Sequence, residues 1–151
     1  MRVIITGDRG WACHDLAERV VNRLVARYGA DQTIVHGGAA GVDRAVDEAA
    51  TDAGLVVEAY PADWGELSHP RAVIKLDRNG HPFDSAAGPR RNQLMVAKGA
   101  NQCIAVHRDL KESKGTKDCV RQAIAAGIST YLIADETGEP IRLRADDPRV
   151  R

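Results

Sequence analysis

Short β-branched runs alternate with amphipathic helical stripes along the chain, and most of the changes come at a glycine or a proline. Apolar residues three or four positions apart predict helices, whereas the short continuous runs predict buried strands. The predicted strands are Arg2–Thr6, Thr33–His36, Val56–Tyr60, Gln102–His107 and Thr130–Ala134, and the predicted helices lie within Asp15–Tyr28, Val42–Ala53, Gly88–Lys98 and Lys114–Ala126. This alternation predicts a mostly parallel sheet with helices on both faces.

The predicted fold is a single α/β domain over all 151 residues. Right-handed crossovers arrange the five strands in the order 3-2-1-4-5, which gives a Rossmann-like three-layer sandwich. Pro140–Leu143 alternates polar and apolar residues, and we expect it to add a short edge strand near the C-terminal end. Residues 62–87 show no clear period and predict a long loop.

Composition excludes several function classes. Lys and Arg number 21 and Asp and Glu number 21, so a histone-like or heparin-binding role is disfavoured. One Phe, three Tyr and two Trp leave few rings for stacking single-stranded bases. The three cysteines have no metal-ligand spacing and fit a reducing compartment. With no apolar window of ~20 residues and no signal peptide, we expect a cytoplasmic protein without a membrane partner. Because no Cys or His shows ligand spacing, we expect no metal, and we expect no cofactor either.

Glycines and small hydroxyl residues follow the predicted strands, where parallel sheets bind ligands. Gly37-Gly38-x-x-Gly41 leads into the second helix, and Gly115-Thr116 opens the fourth. Free backbone N–H groups at such helix starts bind anions, and glycine lets a phosphate approach closely. The alternatives are a tight turn packed at Gly41 and a simple helix cap at Thr116.

Arginines cluster at the same predicted edge. Arg90 and Arg91 lie at the start of the third helix, where positive charge opposes the helix dipole at a cost of ~0.3–1 kcal/mol. An anion nearby would explain this placement, and Arg9 in the first loop is a further candidate. The alternative is that these arginines pair with Asp84 or Asp8.

Five segments of this edge, in order, carry a family resemblance. They read Thr-Gly-Asp-Arg-Gly-Trp, Val-His-Gly-Gly-Ala-Ala-Gly-Val-Asp, Tyr-Pro-Ala-Asp-Trp, Gly-Pro-Arg-Arg-Asn-Gln-Leu-Met and Lys-Gly-Thr-Lys-Asp. Over residues 1–134 the chain resembles the YspA-type branch of the SLOG superfamily, which includes the Lonely-guy phosphoribohydrolases and the DNA-processing protein A family. Many small proteins of this branch come from bacteria and their phages.

The resemblance implies a Rossmann-like fold that holds a nucleotide or nucleotide derivative. The resemblance implies that ten residues line the pocket: Gly7, Arg9, Gly37, Gly38, Gly41, Asp43, Arg91, Asn92, Gly115 and Thr116. Asp8, in the first loop, is a further candidate. Asp43, at the start of a helix, is also explained by the helix dipole alone.

One departure from the Lonely-guy pattern concerns catalysis. Those enzymes carry Pro-Gly-Gly-x-Gly-Thr-x-x-Glu, whereas residues 112–119 here read Glu-Ser-Lys-Gly-Thr-Lys-Asp-Cys, with Cys119 at the Glu position. Arg91 matches the arginine that works with that Glu. Asp118 lies one residue early, about 100° around the helix. Arg91 and Asp118 are therefore the catalytic candidates, and whether the chain is an enzyme stays open.

Three functions follow from these observations. The leading prediction is the binding or sensing of a small nucleotide-like ligand through glycine-rich, phosphate-binding loops. The first alternative is a nucleotide N-glycosidase that has departed from the phosphoribohydrolase motif. The second is single-stranded DNA binding through a patch of Arg90, Arg91, Lys114 and Lys117. Homodimer formation through the third helix, at Leu94 and Met95, is a further expectation.

Overall fold

A six-stranded sheet runs through the computed structural model, which describes every residue from 1 to 151. The chain forms eight strands: β1 (Arg2–Gly7), β2 (Thr33–His36), β3 (Val56–Ala59), β4 (Ile74–Leu76), β5 (Pro82–Asp84), β6 (Gln102–Val106), β7 (Ser129–Ile133) and β8 (Pro140–Leu143). Four α-helices connect them: α1 (His14–Tyr28), α2 (Val42–Asp52), α3 (Ala87–Ala97) and α4 (Gly115–Ala125). A short 3₁₀ helix covers Leu110–Glu112.

The predicted sheet and its strand order are confirmed. The order is β3-β2-β1-β6-β7-β8, and the first five of these strands are parallel neighbours. The sheet has six strands rather than five, because β8 pairs antiparallel with β7, with Thr130 opposite Leu143. This sixth strand is the edge strand expected at Pro140–Leu143.

Alternate residues of β1 face opposite layers, as the two-residue period of a strand requires. Val3 and Ile5 belong to the core under α1 and α2, while Ile4 belongs to a smaller core with Met95 of α3. The α1 stripe buries Leu16, Ala17, Val20, Val21 and Leu24. Helices therefore cover both faces of the sheet, and the strand ends of β1 and β6 meet at its centre.

The segment expected to be a long loop, residues 62–87, contains a two-stranded antiparallel hairpin. Strands β4 and β5 flank a turn at Asn79-Gly80, where Gly80 has φ of 79° and the Asp77 carboxylate accepts the Asn79 amide at 2.8 Å. Each strand is only three residues long, and the residues of β4 are exposed. No hydrophobic period arises from so short and so exposed a pair of strands.

The third helix begins at Ala87, one residue before the predicted start, and ends at Ala97. Leu94 is 48% exposed, whereas Met95 is 1% exposed and packs against the sheet. Consecutive helical residues point about 100° apart, and here Leu94 faces outward while Met95 faces the sheet. The expectation that both form a pairing surface is wrong for Met95.

None of the four helices has the length and apolar character that a membrane crossing requires.

Candidate functional site

A polar cleft of about 210 Å³ opens at the carboxyl edge of the sheet, where β1 and β6 lie side by side. Eleven residues line it: Thr6, Gly7, Asp8, Arg9, Ala39, Asp43, Arg91, His107, Ser113, Gly115 and Thr116. Only Ala39 among them is apolar, and no Phe, Tyr or Trp contributes. The connections after β1 and β6 leave on opposite faces of the sheet, so the cleft lies at the switch point where such sheets bind ligands.

The structure brings seven of the predicted pocket residues together at this cleft: Gly7, Asp8, Arg9, Asp43, Arg91, Gly115 and Thr116. Gly37, Gly38, Gly41 and Asn92 do not line it, and neither does Asp118. Sequence reasoning missed Thr6, Ala39, His107 and Ser113. Thr6 and His107 stand at the ends of β1 and β6, so the position of these strand ends was a usable signal.

Gly41 joins the β1–α1 loop to the β2–α2 loop. Its φ of 71° and ψ of −122° belong to glycine, and a methyl group there would lie 2.5 Å from the Arg9 carbonyl oxygen. The Val42 amide donates to the carbonyl oxygen of Asp8 at 3.1 Å. Gly41 therefore acts through backbone packing, which fixes the loop that carries Asp8 and Arg9.

The glycine-rich turn after β2 differs from the predicted phosphate cradle, because its first amides are already bound. The amides of Gly37 and Ala39 each donate to Asp43 Oδ2 at 3.2 Å, and the Gly38 amide donates to His36 Nδ1 at 2.9 Å. Gly38 has a φ of 70° and packs near Pro61. These three amides are therefore not free to bind an anion.

Asp43 is a buried carboxylate with one oxygen unpaired. It is 5% exposed; Oδ2 takes both amides, and Oδ1 is buried without a hydrogen-bond partner. An unsatisfied buried polar group costs about 1–3 kcal/mol. Burial raises the pKa of Asp43, while the Ala39 amide and the nearby His36 and Arg91 act in the opposite direction.

Arg91 is held in place by protein acceptors. Its Nη1 donates to the carbonyl oxygens of Gly37 and of Tyr60, the latter at 3.3 Å, and its Nε donates to Asn92 Oδ1 at 2.8 Å. Gly37 has no side chain, and a Cβ there would collide with the guanidinium. Burial lowers the pKa of Arg91, while the negative charge of Asp43 acts to raise it.

Asn92 connects Arg91 to α4 instead of facing the cleft. It is 2% exposed, and its Nδ2 donates to the Gly115 carbonyl oxygen at 3.2 Å and to Asp118 Oδ2 at 3.0 Å. Asp118 Oδ2 also accepts from Gln122 Nε2 at 2.8 Å. Nothing in this geometry supports Asp118 as a substitute for the glutamate missing from the phosphoribohydrolase motif.

Cys119, which occupies the glutamate position, is fully buried beside Cys103 in the core between α3, α4 and the sheet. The hydrogen bond with Cys119 and burial both raise the pKa of the Cys103 thiol. Both thiols are free and enclosed by apolar residues. The motif position has therefore become part of the core.

The start of α4 supplies free donors beside the cleft. The amides of Gly115 and Lys117 make no hydrogen bond within the protein, while the Thr116 amide donates to Ser113 Oγ at 3.1 Å. A methyl group at Gly115 would meet nothing within 4 Å. Free N–H groups and the positive end of a helix dipole bind anions.

Positive charge at the cleft comes from Arg9 and Arg91 alone among its lining residues. The alternative of Asp84 pairing holds for Arg90, whose Nη2 bonds Asp84 Oδ2. Lys117 Nζ donates to the Lys111 carbonyl oxygen at 2.8 Å.

Part of this sequence matches a known family, and one phage protein matches most of it. Residues 1–66 match the model of the YspA, cpYpsA-related SLOG family. Gene 61 protein of Mycobacterium phage D29 is 31% identical over 140 residues, which cover 89% of this chain and 98% of the phage protein.

Two solved structures share the fold. TM1055, a structural-genomics target, has a TM-score of 0.58 at 18% identity, over 85% of this chain and 71% of its own. DNA processing protein A (DprA) from Streptococcus pneumoniae has a TM-score of 0.62 at 19% identity. That match covers 89% of this chain and 50% of DprA, so the chain spans half of that protein.

Proposed function

The chain belongs to the YspA, cpYpsA-related SLOG family, and we propose that it binds a nucleotide or nucleotide-derived ligand at the polar cleft. The observation that carries the proposal is the open start of α4. The amide of Gly115, a residue that lines the cleft together with two arginines, is unpaired, and so is the Lys117 amide in the same first turn. A phosphate is the anion that such a helix start and such arginines bind together.

Preorganisation favours Arg91 as the main cationic contact. Its Nε and Nη1 are committed to protein acceptors, which fixes the guanidinium plane and leaves Nη2 for a ligand. A side chain already held in place loses little conformational freedom when a ligand binds. Arg9 is exposed, and its Cζ lies 5.0 Å from the ring centroid of Trp64, so we assign it a supporting role.

The test is a thermal-shift series with inorganic phosphate, AMP, ADP and ADP-ribose. A ligand present at 100 times its Kd adds about 2.7 kcal/mol to the free energy of unfolding. For a domain of this size, that addition raises Tm by about 5–10 °C. No shift across the series would contradict the proposal.

Gly115→Asp is the matched variant, because a side chain fits there without a clash and its charge would repel phosphate. An acidic residue at a helix start interacts favourably with the helix dipole and stabilises the helix, so we expect the variant to keep its fold. Gly65→Asp is the control, since it adds the same charge at a site that is equally open. We expect Gly115→Asp to abolish the ligand-induced shift and Gly65→Asp to keep it.

A further inference from the structure

We infer that Asp43 accepts a hydrogen bond from a sugar hydroxyl of the ligand, so that the cleft selects a ribose phosphate over its deoxy counterpart. This inference rests on the proposed function, because it concerns the same cleft and assigns the part of the ligand next to the phosphate. It adds the sugar class and a residue that determines specificity.

The unpaired oxygen of Asp43 indicates what kind of group is missing. Oδ2 accepts the amides of Gly37 and Ala39, while the buried Oδ1 has no partner, although Asp43 forms part of the cleft wall. An ionised carboxylate only accepts hydrogen bonds, so its missing partner is a donor. A hydroxyl entering the cleft supplies that donor.

The neighbouring basic side chains do not satisfy Oδ1. The hydrogen bonds of Arg91 go to the carbonyl oxygens of Gly37 and Tyr60 and to Asn92 Oδ1. His36 bonds Asp47 Oδ2 through Nε2 at 2.6 Å and accepts the Gly38 amide through Nδ1. Neither side chain donates to Oδ1, so this oxygen has no hydrogen-bond partner within the protein.

The lining of the cleft favours the sugar over the base as the group that Asp43 contacts. Ten of the eleven lining residues are not apolar, and no Phe, Tyr or Trp is among them. Nucleobases are bound mainly by apolar and aromatic side chains, which this cleft lacks. The cleft therefore suits phosphate and hydroxyl groups, and the base lies outside it.

The experiment is isothermal titration of the full chain with AMP, 2′-deoxy-AMP, 3′-deoxy-AMP and ribose 5-phosphate. A hydrogen bond to a buried charged group corresponds to about 10- to 100-fold in affinity. We expect one deoxy analogue to bind weaker than AMP by this factor. Ribose 5-phosphate should bind within about tenfold of AMP, since the base contributes little.

Asp43→Asn tests the residue directly. The amide oxygen can still accept from Gly37 and Ala39, while the NH₂ group replaces the unpaired oxygen. We expect the gap between AMP and the weaker deoxy analogue to fall below about fivefold. Asp52→Asn, the same change at the exposed end of α2, should leave the gap unchanged.

The outcomes separate the two proposals. If AMP binds and both deoxy analogues bind equally well, the sugar contact is wrong and the phosphate site stands. If neither phosphate nor any nucleotide binds, the proposed function fails too. If Asp43→Asn keeps the wild-type Tm and the same difference in affinity between AMP and the deoxy analogue, the role of Asp43 is wrong. Should that variant melt early, the comparison in the wild type still decides the sugar preference.

Discussion

Glycines of one motif do different work in this protein. Gly37 makes room for the Arg91 guanidinium, Gly38 adopts a positive φ near Pro61, and Gly41 packs on the backbone of the β1–α1 loop. Their spacing predicts a tight turn correctly. It does not say which amides stay free, because that depends on His36 and Asp43, whose side chains accept those amides.

Gly41→Ala should destabilise the protein through the backbone. The φ and ψ of Gly41 are unfavourable for any other residue by about 1–3 kcal/mol, and the new methyl would collide with the Arg9 carbonyl. We expect a Tm lower by at least about 2–4 °C, measured by calorimetry. Gly65→Ala, where a methyl has open space, serves as the control. Equal melting of the two variants would contradict this account.

Asn92→Asp tests the link between Arg91 and α4. The change removes the donor to the Gly115 carbonyl and places a second carboxylate 3.0 Å from Asp118 Oδ2. A lost buried partner costs about 1–3 kcal/mol. Repulsion raises the folded-state pKa of this carboxyl pair, so the folded variant gains protons and part of the loss is recovered as pH falls. A urea-unfolding series at several pH values would measure this, and a deficit independent of pH would count against it.

Among the strands and helices, the sequence predicts the regular ones and misses the hairpin. The strands and helices with clear hydrophobic periods occur where expected, because each buries an apolar face against the sheet. The hairpin of β4 and β5 buries little, and polar contacts fasten it. Asp84 Oδ1 accepts the amides of Val73 at 2.9 Å and Ala86 at 3.0 Å. Such contacts leave no periodic pattern in a sequence.

Acid should weaken this attachment. The hydrogen bond from the Arg90 guanidinium is the main reason that the pKa of Asp84 falls from 3.8 to about 2, aided by the two amides. The folded protein therefore stabilises the ionised form of Asp84 relative to the unfolded chain. The stability from Asp84 is present above about pH 4 and is lost as pH falls towards 2.

Asp84→Asn should lower Tm at neutral pH and flatten the Tm profile between pH 4 and pH 2. Asp63→Asn, in an exposed part of the same segment, is the matched control and should keep the acid dependence of the wild type. Thermal melts at closely spaced pH values measure both. If Asp84→Asn retains the full acid dependence, another carboxylate is responsible.

The overall net charge of zero is compatible with a local anion site. The basic residues predicted to share one edge are divided, since Arg90 pairs with Asp84 and Lys117 bonds a backbone carbonyl, while Arg91 lines the cleft. Composition alone could not predict this division, because it depends on which partner each long side chain reaches.

Single-stranded DNA binding is accordingly expected to be absent. The cleft offers two arginines and no aromatic stacking residue, whereas single-strand binders combine an extended basic groove with stacked rings. Fluorescence anisotropy with labelled oligonucleotides at low salt should give a flat titration. Binding that weakens as salt rises, and that AMP displaces, would show that nucleic acid uses the cleft.

The contact of Gly41 and Val42 with the β1–α1 loop also affects how relatives of this protein can diverge. Because of this contact, a change of length in the β1–α1 loop disturbs the β2–α2 loop, and the reverse also holds. We therefore expect the two loops to change together. Residues 111–114 differ, because none of them is buried and their hydrogen bonds go to residues between 109 and 118. This segment can be lengthened or exchanged while the rest of the cleft keeps its shape. New ligand preferences in the lineage are expected to arise there first.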